Sequence, residues 1–256
     1  SPVATPLISA VGSQAQRSSR AGRVLVLDGD PTNGTVDAAL WRGNGQSLTD
    51  ASPAVRALAL SRARAGAITG TLDDPATASL AQAAYTLVVY PDDATVAALA
   101  AHDVDTILVP YGASGAQALA FGLDRAGGLE KVGNTNSGIV WRVRPSAIKP
   151  SRVRVESSGG ITTDVGSSQL RVDGDVDASG TLILAERADS GWHASVDGVA
   201  LMPTEPVDGW AQAFDMPAAG HLTVTYRAWW IIPWRVGAGI CLVVVAASAL
   251  SVWRKR

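Results

Sequence analysis

The feature that most constrains this chain is its C-terminal stretch, Trp229 to Arg256, which reads WWIIPWRVGAGICLVVVAASALSVWRKR. From Val236 to Val252 it carries no charged side chain. With Ile231 and Ile232 the apolar length approaches the ~20 residues that a helix needs to cross a ~30 Å hydrocarbon core. Trp229, Trp230 and Trp234 stand at one border and Trp253 at the other, where amphipathic rings settle at headgroup depth. The pattern predicts a transmembrane helix over 229–253. Arg254, Lys255 and Arg256 follow it, and positive charge beside a span stays on the cytoplasmic side. Residues 254–256 are therefore expected in the cytoplasm and residues 1–228 outside it, at a bacterial cell membrane. Arg235, near the outer border, is expected to snorkel past Trp234 into the interface. A buried core helix or a signal segment competes for such a run. A core helix rarely carries Trp at both ends and a basic stop, however, and a signal belongs at the N-terminus.

The remaining length suits two modest domains. A formal net charge of -2 supplies no basic field, which argues against a nucleic-acid partner. The one cysteine, Cys241, lies inside the apolar run, so no disulfide is expected to staple the outer domains. Lysine is scarce beside Arg, Ala and Gly, the usage of a high-GC bacterial gene. Residues 1–21 begin SPVATPLISAVGSQAQRSSR, a polar linker composition with neither a basic n-region nor an apolar stretch of signal length. The expected topology then calls for an export element upstream, either a removed signal peptide or a preceding membrane-embedded part.

Residues 22–144 read as a small layered α/β domain. Arg23 to Asp28 (RVLVLD) is an apolar run of the kind a strand buried on both faces shows, followed by turn chemistry through Gly34. A second strand is expected at Val36 to Trp41. Helices are expected after Asp50-Ser52-Pro53 with Val55, Leu58 and Ala59 inward, after Asp73-Asp74-Pro75 with Leu80, Ala83 and Ala84 inward, and after Asp92-Asp93 with Val96, Leu99 and Ala100 inward. Tyr85 to Tyr90 fits either a helix end or a strand. Asp105 to Pro110 reads as a buried strand, followed by a helix through Leu119 and Leu123. Leu129–Val132 and Ile139–Val143 then close the domain as strands around Asn134–Gly138. Such alternation predicts a largely parallel sheet.

Beyond Pro145 and Pro150 the helix signals stop, and residues 145–228 read as an all-β antiparallel sandwich. Strands are expected at Arg152–Glu156, Gln169–Val172, Thr181–Glu186, Trp192–Val196, Gly209–Phe214 and His221–Arg227. Arg171, Leu182 and Leu184 are expected to alternate with their neighbours as half-buried strands do, and Asp197-Gly198 is a strong hairpin turn.

Two ordered stretches carry a resemblance. AAHDVDTILVP followed by LDRAGGLEKVGNTNSGIVWRV resembles the extracytoplasmic α/β module late in large polytopic bacterial membrane glycosyltransferases, where L-D-x-x-x-G-L-x-x-V-G precedes W-R-V. LILAERADSGWHASVDGVALMP, then GWAQAFDMPAAGHLTVTYRAWW, resembles the terminal β-module of the YfhO-like type and of actinobacterial family-2 glycosyltransferases with fused membrane regions. There E-x-x-x-x-G-W-x-A-x-x-D-G precedes the last span. The resemblance implies a C-terminal, non-catalytic part of an enzyme of cell-envelope glycan synthesis, with the chemistry elsewhere in the protein. It implies as partners the bilayer, the upstream transmembrane region, and a glycan or polyprenyl-linked sugar acceptor. The alternative is a non-enzymatic, membrane-anchored envelope binding protein.

No catalytic residue, cofactor or metal site is expected. Asp28-Gly29-Asp30 has the look of a strand-end Asp-x-Asp that holds a hard dication on a diphosphate. No nucleotide-binding half precedes it, it is expected outside the cytoplasm, and its neighbours Pro31, Asn33 and Gly34 are ordinary turn residues. Trp192 and Trp210 are candidates for a sugar-stacking platform, with Asp197, Asp208 or His193 supplying hydrogen bonds; the competing reading is that both indoles fill a core. His102, His193 and His221 lack metal-motif spacing and are expected at the surface or at capping positions. Gly43–Gly45 and Gly112–Gly115 are too short for a phosphate loop. Asp73-Asp74 and Asp92-Asp93 open helices, where capping and the helix dipole account for them.

Overall fold

The computed structural model describes residues 22–41, 61–64, 67–68, 75–145, 148–160, 162–165, 171–227 and 241. Its first lobe is built on a seven-stranded sheet of order β4-β3-β2-β1-β5-β7-β6. The strands are β1 (Arg23–Asp28), β2 (Thr35–Trp41), β3 (Ser61–Arg64), β4 (Ala67–Ile68), β5 (Val104–Pro110), β6 (Leu129–Asn134) and β7 (Gly138–Val143). Three helices lie against one face of it, α1 (Pro75–Val89), α2 (Asp93–Ala101) and α3 (Ala116–Asp124).

The sheet corrects the expectation of parallel pairing: only β1 and β5 run parallel, and every other pair is antiparallel. A parallel pair needs a long crossover, and among the described residues of this sheet only β1 and β5 are so joined, through β2 to β4 and then α1 and α2. Strands β2, β3 and β4 follow β1 as a meander, and β6 and β7 form a hairpin. Neither β3 nor β4 was expected. The helix expected over Val55 to Ala59 lies outside the described residues, as do the linker 1–21 and, apart from Cys241, the run 229–253. Among the described residues no helix is long and apolar enough to cross a membrane.

The helices follow their sequence signals. Asp92 caps α2, its Oδ1 accepting from the Thr95 N–H at 2.7 Å, and Val96, Leu99 and Ala100 are fully buried. Tyr85 to Val89 belongs to α1, because Leu80, Ala84, Leu87 and Val88 continue one buried helical face. Small residues let the elements approach closely. A Cβ on Gly122 of α3 would meet the Val88 carbonyl oxygen of α1 at 2.5 Å.

The second lobe is a sandwich of two antiparallel sheets. One has the order β10-β16-β12-β13 and the other β14-β15-β11-β8-β9. The first comprises β10 (Arg171–Val176), β12 (Trp192–Val196), β13 (Val199–Ala200) and β16 (Gly220–Tyr226); the second comprises β8 (Val153–Glu156), β9 (Thr162–Asp164), β11 (Gly180–Arg187), β14 (Met202–Pro203) and β15 (Ala211–Met216). Val153, Val155, Leu182, Leu184, Phe214, Leu222 and Val224 fill the space between them. Asp197 (φ 48°) and Gly198 (φ 80°) turn the β12–β13 hairpin with both residues left-handed, the backbone that a two-residue hairpin turn requires.

Strand β11 departs from the expected alternation: from Leu182 to Glu186 every residue is buried. The cause is that the first lobe covers its outer face. Ile183, Ala211 and Ala213 belong to the same core as Leu25 and Leu27 of β1 and Leu80, Ala84 and Leu87 of α1. The first lobe and the β11–β15 sheet of the sandwich thus share one core across the seam. The opposite face of the mixed sheet carries a separate small cluster of Val24, Val26, Leu108 and Val140, as the two-residue period of the strands requires.

The Gly122 contact gives a direct test of this packing. Gly122→Ala places a methyl against backbone that has no side-chain freedom to yield. It is expected to destabilise the fold by about 1–3 kcal/mol, read as a lower urea midpoint with an unchanged m-value.

Candidate functional site

The functionally suggestive groups gather in the seam between the lobes. Arg23 opens β1 and is 1% exposed. Its Nη1 donates to the carbonyls of His102 (3.0 Å) and Ala185 (2.7 Å), and its Nη2 donates to Glu186 Oε1 at 2.6 Å. The same carboxylate oxygen accepts from Arg152 Nε at 3.1 Å, and the Glu186 side chain is fully buried. One carboxylate of β11 therefore joins β1 of the first lobe to Arg152, the residue before β8, in the second. Arg154, also buried, reaches Glu156 at 2.9 Å.

His102 ends α2 as its C-cap and is completely buried. Its ring stacks on Trp210, with centroids 3.8 Å apart and planes 11° from parallel, and its Nε2 lies 3.0 Å from Ser79 Oγ of α1. Burial, with the nearby guanidinium charges of Arg23 and Arg154, pushes its pKa down to about 3. The imidazole is accordingly neutral. The next residue, Asp103, takes a left-handed conformation (φ 60°) that ends the helix, and its carbonyl accepts the Arg23 N–H at 2.9 Å. His193 and His221 are exposed and His102 takes a capping position, as expected; what was not expected is the full burial of His102, which follows from the second lobe covering the end of α2.

The two indoles of the suggested sugar platform lie in different cores. Trp192 is 6% exposed and sits in the sandwich, edge-on to Tyr226; Trp210 is 3% exposed and faces the helices. Each ring fills its core and presents no face to solvent, and a stacking platform needs a free face. His193 lies on β12 with Nδ1 2.9 Å from the Gly191 carbonyl. Asp197 accepts the His221 N–H at 3.0 Å in the β12–β13 turn. Asp208 adopts φ 52° in the turn before Trp210. These five residues form no single surface.

Asp28 and Asp30 close the turn after β1. Asp28 Oδ1 accepts from the N–H groups of Gly29 (2.6 Å) and Ser114 (3.3 Å). Asp30 caps the short 3-10 helix Pro31–Asn33, its carboxyl held below the usual range by bonds from Thr32. Among the described residues no group of three or more His, Cys, Asp or Glu side chains is arranged to hold a metal.

On the outer sheet of the sandwich, exposed His221 bridges Asp173 (2.7 Å) and Asp175 (2.8 Å). These carboxylates raise its pKa above the ordinary value.

The residues that carry the family resemblance prove to be structural. Asp124 of the LDRAGG stretch accepts from the indole of Trp141 in WRV at 2.9 Å. Glu186 anchors the seam, and Gly191 accepts the Arg227 N–H at 2.8 Å. Sequence reading missed Arg23, Glu186, Arg152 and His102 as a set. The available signal was a charge at the margin of an apolar strand, in RVLVLD and LILAE. Nothing in the sequence paired two such charges 163 residues apart.

Two predictions test the seam. Glu186→Ala strands two buried guanidinium groups and is expected to cost about 3–5 kcal/mol. The triple replacement Arg23→Met, Arg152→Met, Glu186→Leu is expected to recover most of that loss. Urea unfolding of both variants reads the difference. The histidines act in opposite directions with pH. His102 is neutral in the fold and charges when unfolded, so its contribution is present above about pH 6.5 and drains away as pH falls toward about 3. The contribution of His221 is present below pH 6.5 and is lost as pH rises through its raised value. His102→Phe, which retains a stacking ring, is expected to flatten the acid limb of a midpoint-against-pH curve, and His221→Gln the limb above neutrality.

Compared with models of protein families, with curated proteins and with solved structures, the chain matches none of them.

Proposed function

We propose that the chain is the outer, non-catalytic end of a bacterial membrane glycosyltransferase of cell-envelope glycan synthesis. In this reading the two lobes and the span over 229–253 hold an envelope glycan or a polyprenyl-linked acceptor near a catalytic part that lies elsewhere in the protein. The observation that carries it is the position of the two ends of the folded body. Arg23, at the start of β1, is bonded to Ala185 and Glu186. Arg227, just past the end of β16, is bonded to Gly191. Both ends are thus fastened to one segment of seven residues. A lobe held between a preceding membrane region and a final span needs its ends so arranged, and a body on a single anchor does not.

The seam supports the same reading. It makes the two lobes one body, so a load on either is transmitted to the other. The residues of the resemblance, Asp124, Trp141, Glu186 and Gly191, build the frame. The alternative, a non-enzymatic anchored binding protein, shares the sandwich and the span and differs in having no transfer activity to support.

The separating experiment uses membranes from cells carrying Glu186→Ala on the chromosome, with the wild type beside them. Loss of labelled sugar incorporation into lipid-linked or envelope glycan, with normal levels of other membrane enzymes, is the expected result. Unchanged incorporation, with the variant lobe shown to be unfolded by rapid proteolysis, would favour the anchored binding protein.

A further inference from the structure

We propose that the first lobe binds a neutral glycan chain on an aromatic patch formed by Tyr90 and Phe121, with Arg125 and Asp93 supplying hydrogen bonds. The proposal rests on reading the lobes as the part that holds an envelope glycan, and deepens that reading by naming the surface and the class of sugar.

Ring exposure supplies the first step. Trp192 and Trp210 fill cores, so a stacking site belongs to rings that water reaches. Tyr90 is 73% exposed and Phe121 66%. Phe121 lies on α3 midway between Leu119 and Leu123, which are fully buried, so the helical period turns it away from the core. Tyr90 directly follows α1. Such rings offer rigid contact area at a low cost in conformational entropy, and the C–H face of a pyranose packs on an aromatic face.

Backbone packing brings the two rings to one place. A Cβ on Gly122 would meet Val88 Cα at 3.2 Å, and a Cβ on Gly127 would meet Asp93 Oδ1 at 2.7 Å. The segment from Val88 to Asp93 therefore runs beside the segment from Gly122 to Gly127, in the same direction. Phe121 adjoins the first contact, and Tyr90 stands two residues past it, within about 7.6 Å of Val88 along the chain. Arg125 falls between the two contacts, with its Cζ 5.5 Å from the Phe121 ring centre over one face. The exposed surface of that ring is its other face and its edge.

Charge and area then decide the class of ligand. Asp92, Asp93, Asp124 and Arg125 are exposed. Asp124 is paired with Lys131 at 2.7 Å, and Glu130 faces Arg144 at 3.9 Å. Arg125 set against Asp92 and Asp93 leaves one negative charge, so no strong field of either sign selects a charged polymer. A guanidinium only donates and a carboxylate only accepts, whereas a sugar hydroxyl does both and suits each. At their exposures the two rings offer roughly 300 Å², against about 800 Å² per partner in a stable protein interface. That area is too small for a protein partner and sufficient for sugar rings laid on two arenes.

The test passes the full chain, purified in detergent, over immobilised neutral hexasaccharides of glucose, galactose, mannose, rhamnose and arabinose, with a hexagalacturonate beside them. Retention on at least one neutral sugar is expected, weakened about fivefold by Tyr90→Ala or Phe121→Ala, restored by Phe121→Trp, and weakened about threefold by Arg125→Gln. Both rings are exposed, so the urea midpoints of these variants are expected to match the wild type. Three results would each overturn the site: no neutral sugar retained, equal retention by the wild type and the Tyr90→Ala, Phe121→Ala double variant, or tighter retention on the galacturonate. Sugar incorporation in membranes keeps this site apart from the reading beneath it. Incorporation lost in Glu186→Ala cells but kept in cells carrying the double variant overturns only the site, whereas incorporation kept in Glu186→Ala cells overturns the reading itself.

Discussion

Everything in this molecule depends on one oxygen atom, Glu186 Oε1, buried between the guanidinium groups of Arg23 and Arg152. A carboxylate taken out of water costs several kcal/mol unless it is paired and hydrogen-bonded, so Glu186 tolerates burial only while both arginines are in place. Arg23 belongs to the first strand of one lobe and Arg152 to the entrance of the other. Neither lobe buries its share of the seam without its neighbour. The apolar contacts repeat the point, since Ile183 and Ala213 of the sandwich are in the same core as Leu80 and Leu87 of α1. An apolar face alone tolerates some sliding between layers; a forked guanidinium aimed at two carbonyls and a carboxylate does not.

The seam also explains why β11 is buried on both faces and why His102 is neutral. Covering β11 removes its outer face from water and with it the alternation that an isolated sandwich shows. Covering the end of α2 leaves His102 beside Trp210 with two guanidinium charges close by. Desolvation and like charge both oppose its protonation. The seam's polar groups thus tie the lobes together and make their union sensitive to acid.

Local signals in the sequence were sufficient for elements that close on themselves. Asp92 and Thr95 specify the start of α2 within a single turn, and Asp197-Gly198 specifies its hairpin with two residues. Five strands of the sandwich fall close to their expected places, and the one expected over Gln169–Val172 begins at Arg171 and runs on to Val176, while β9, β13 and β14 carry no such signal. What escaped was everything set by partners distant in the chain. Counting alternate strands and helices suggested a parallel sheet, but pairing follows the length of each connection, and β2 to β4 return too quickly to run parallel. Trp192 and Trp210 were open to two readings for the same reason: whether an indole faces solvent depends on which layer lies over it. For Trp210 that layer is α2, which ends more than a hundred residues before it.

The family-like motifs gain a physical meaning from this arrangement. Leu123-Asp124 and Trp141-Arg142-Val143 resemble a transferase pattern, and in this fold the pattern joins α3 to β7 through the Asp124 carboxylate and the Trp141 indole. Glu186 to Gly198 resembles another, and it contains the seam anchor, the hold on Arg227 and the hairpin turn. In this fold these residues hold the architecture together. Gly191 holds the chain at Arg227, and Glu186 locks the two lobes together. The polar seam accordingly fixes a unique relation between the lobes, which two lobes sliding on an apolar face would not maintain.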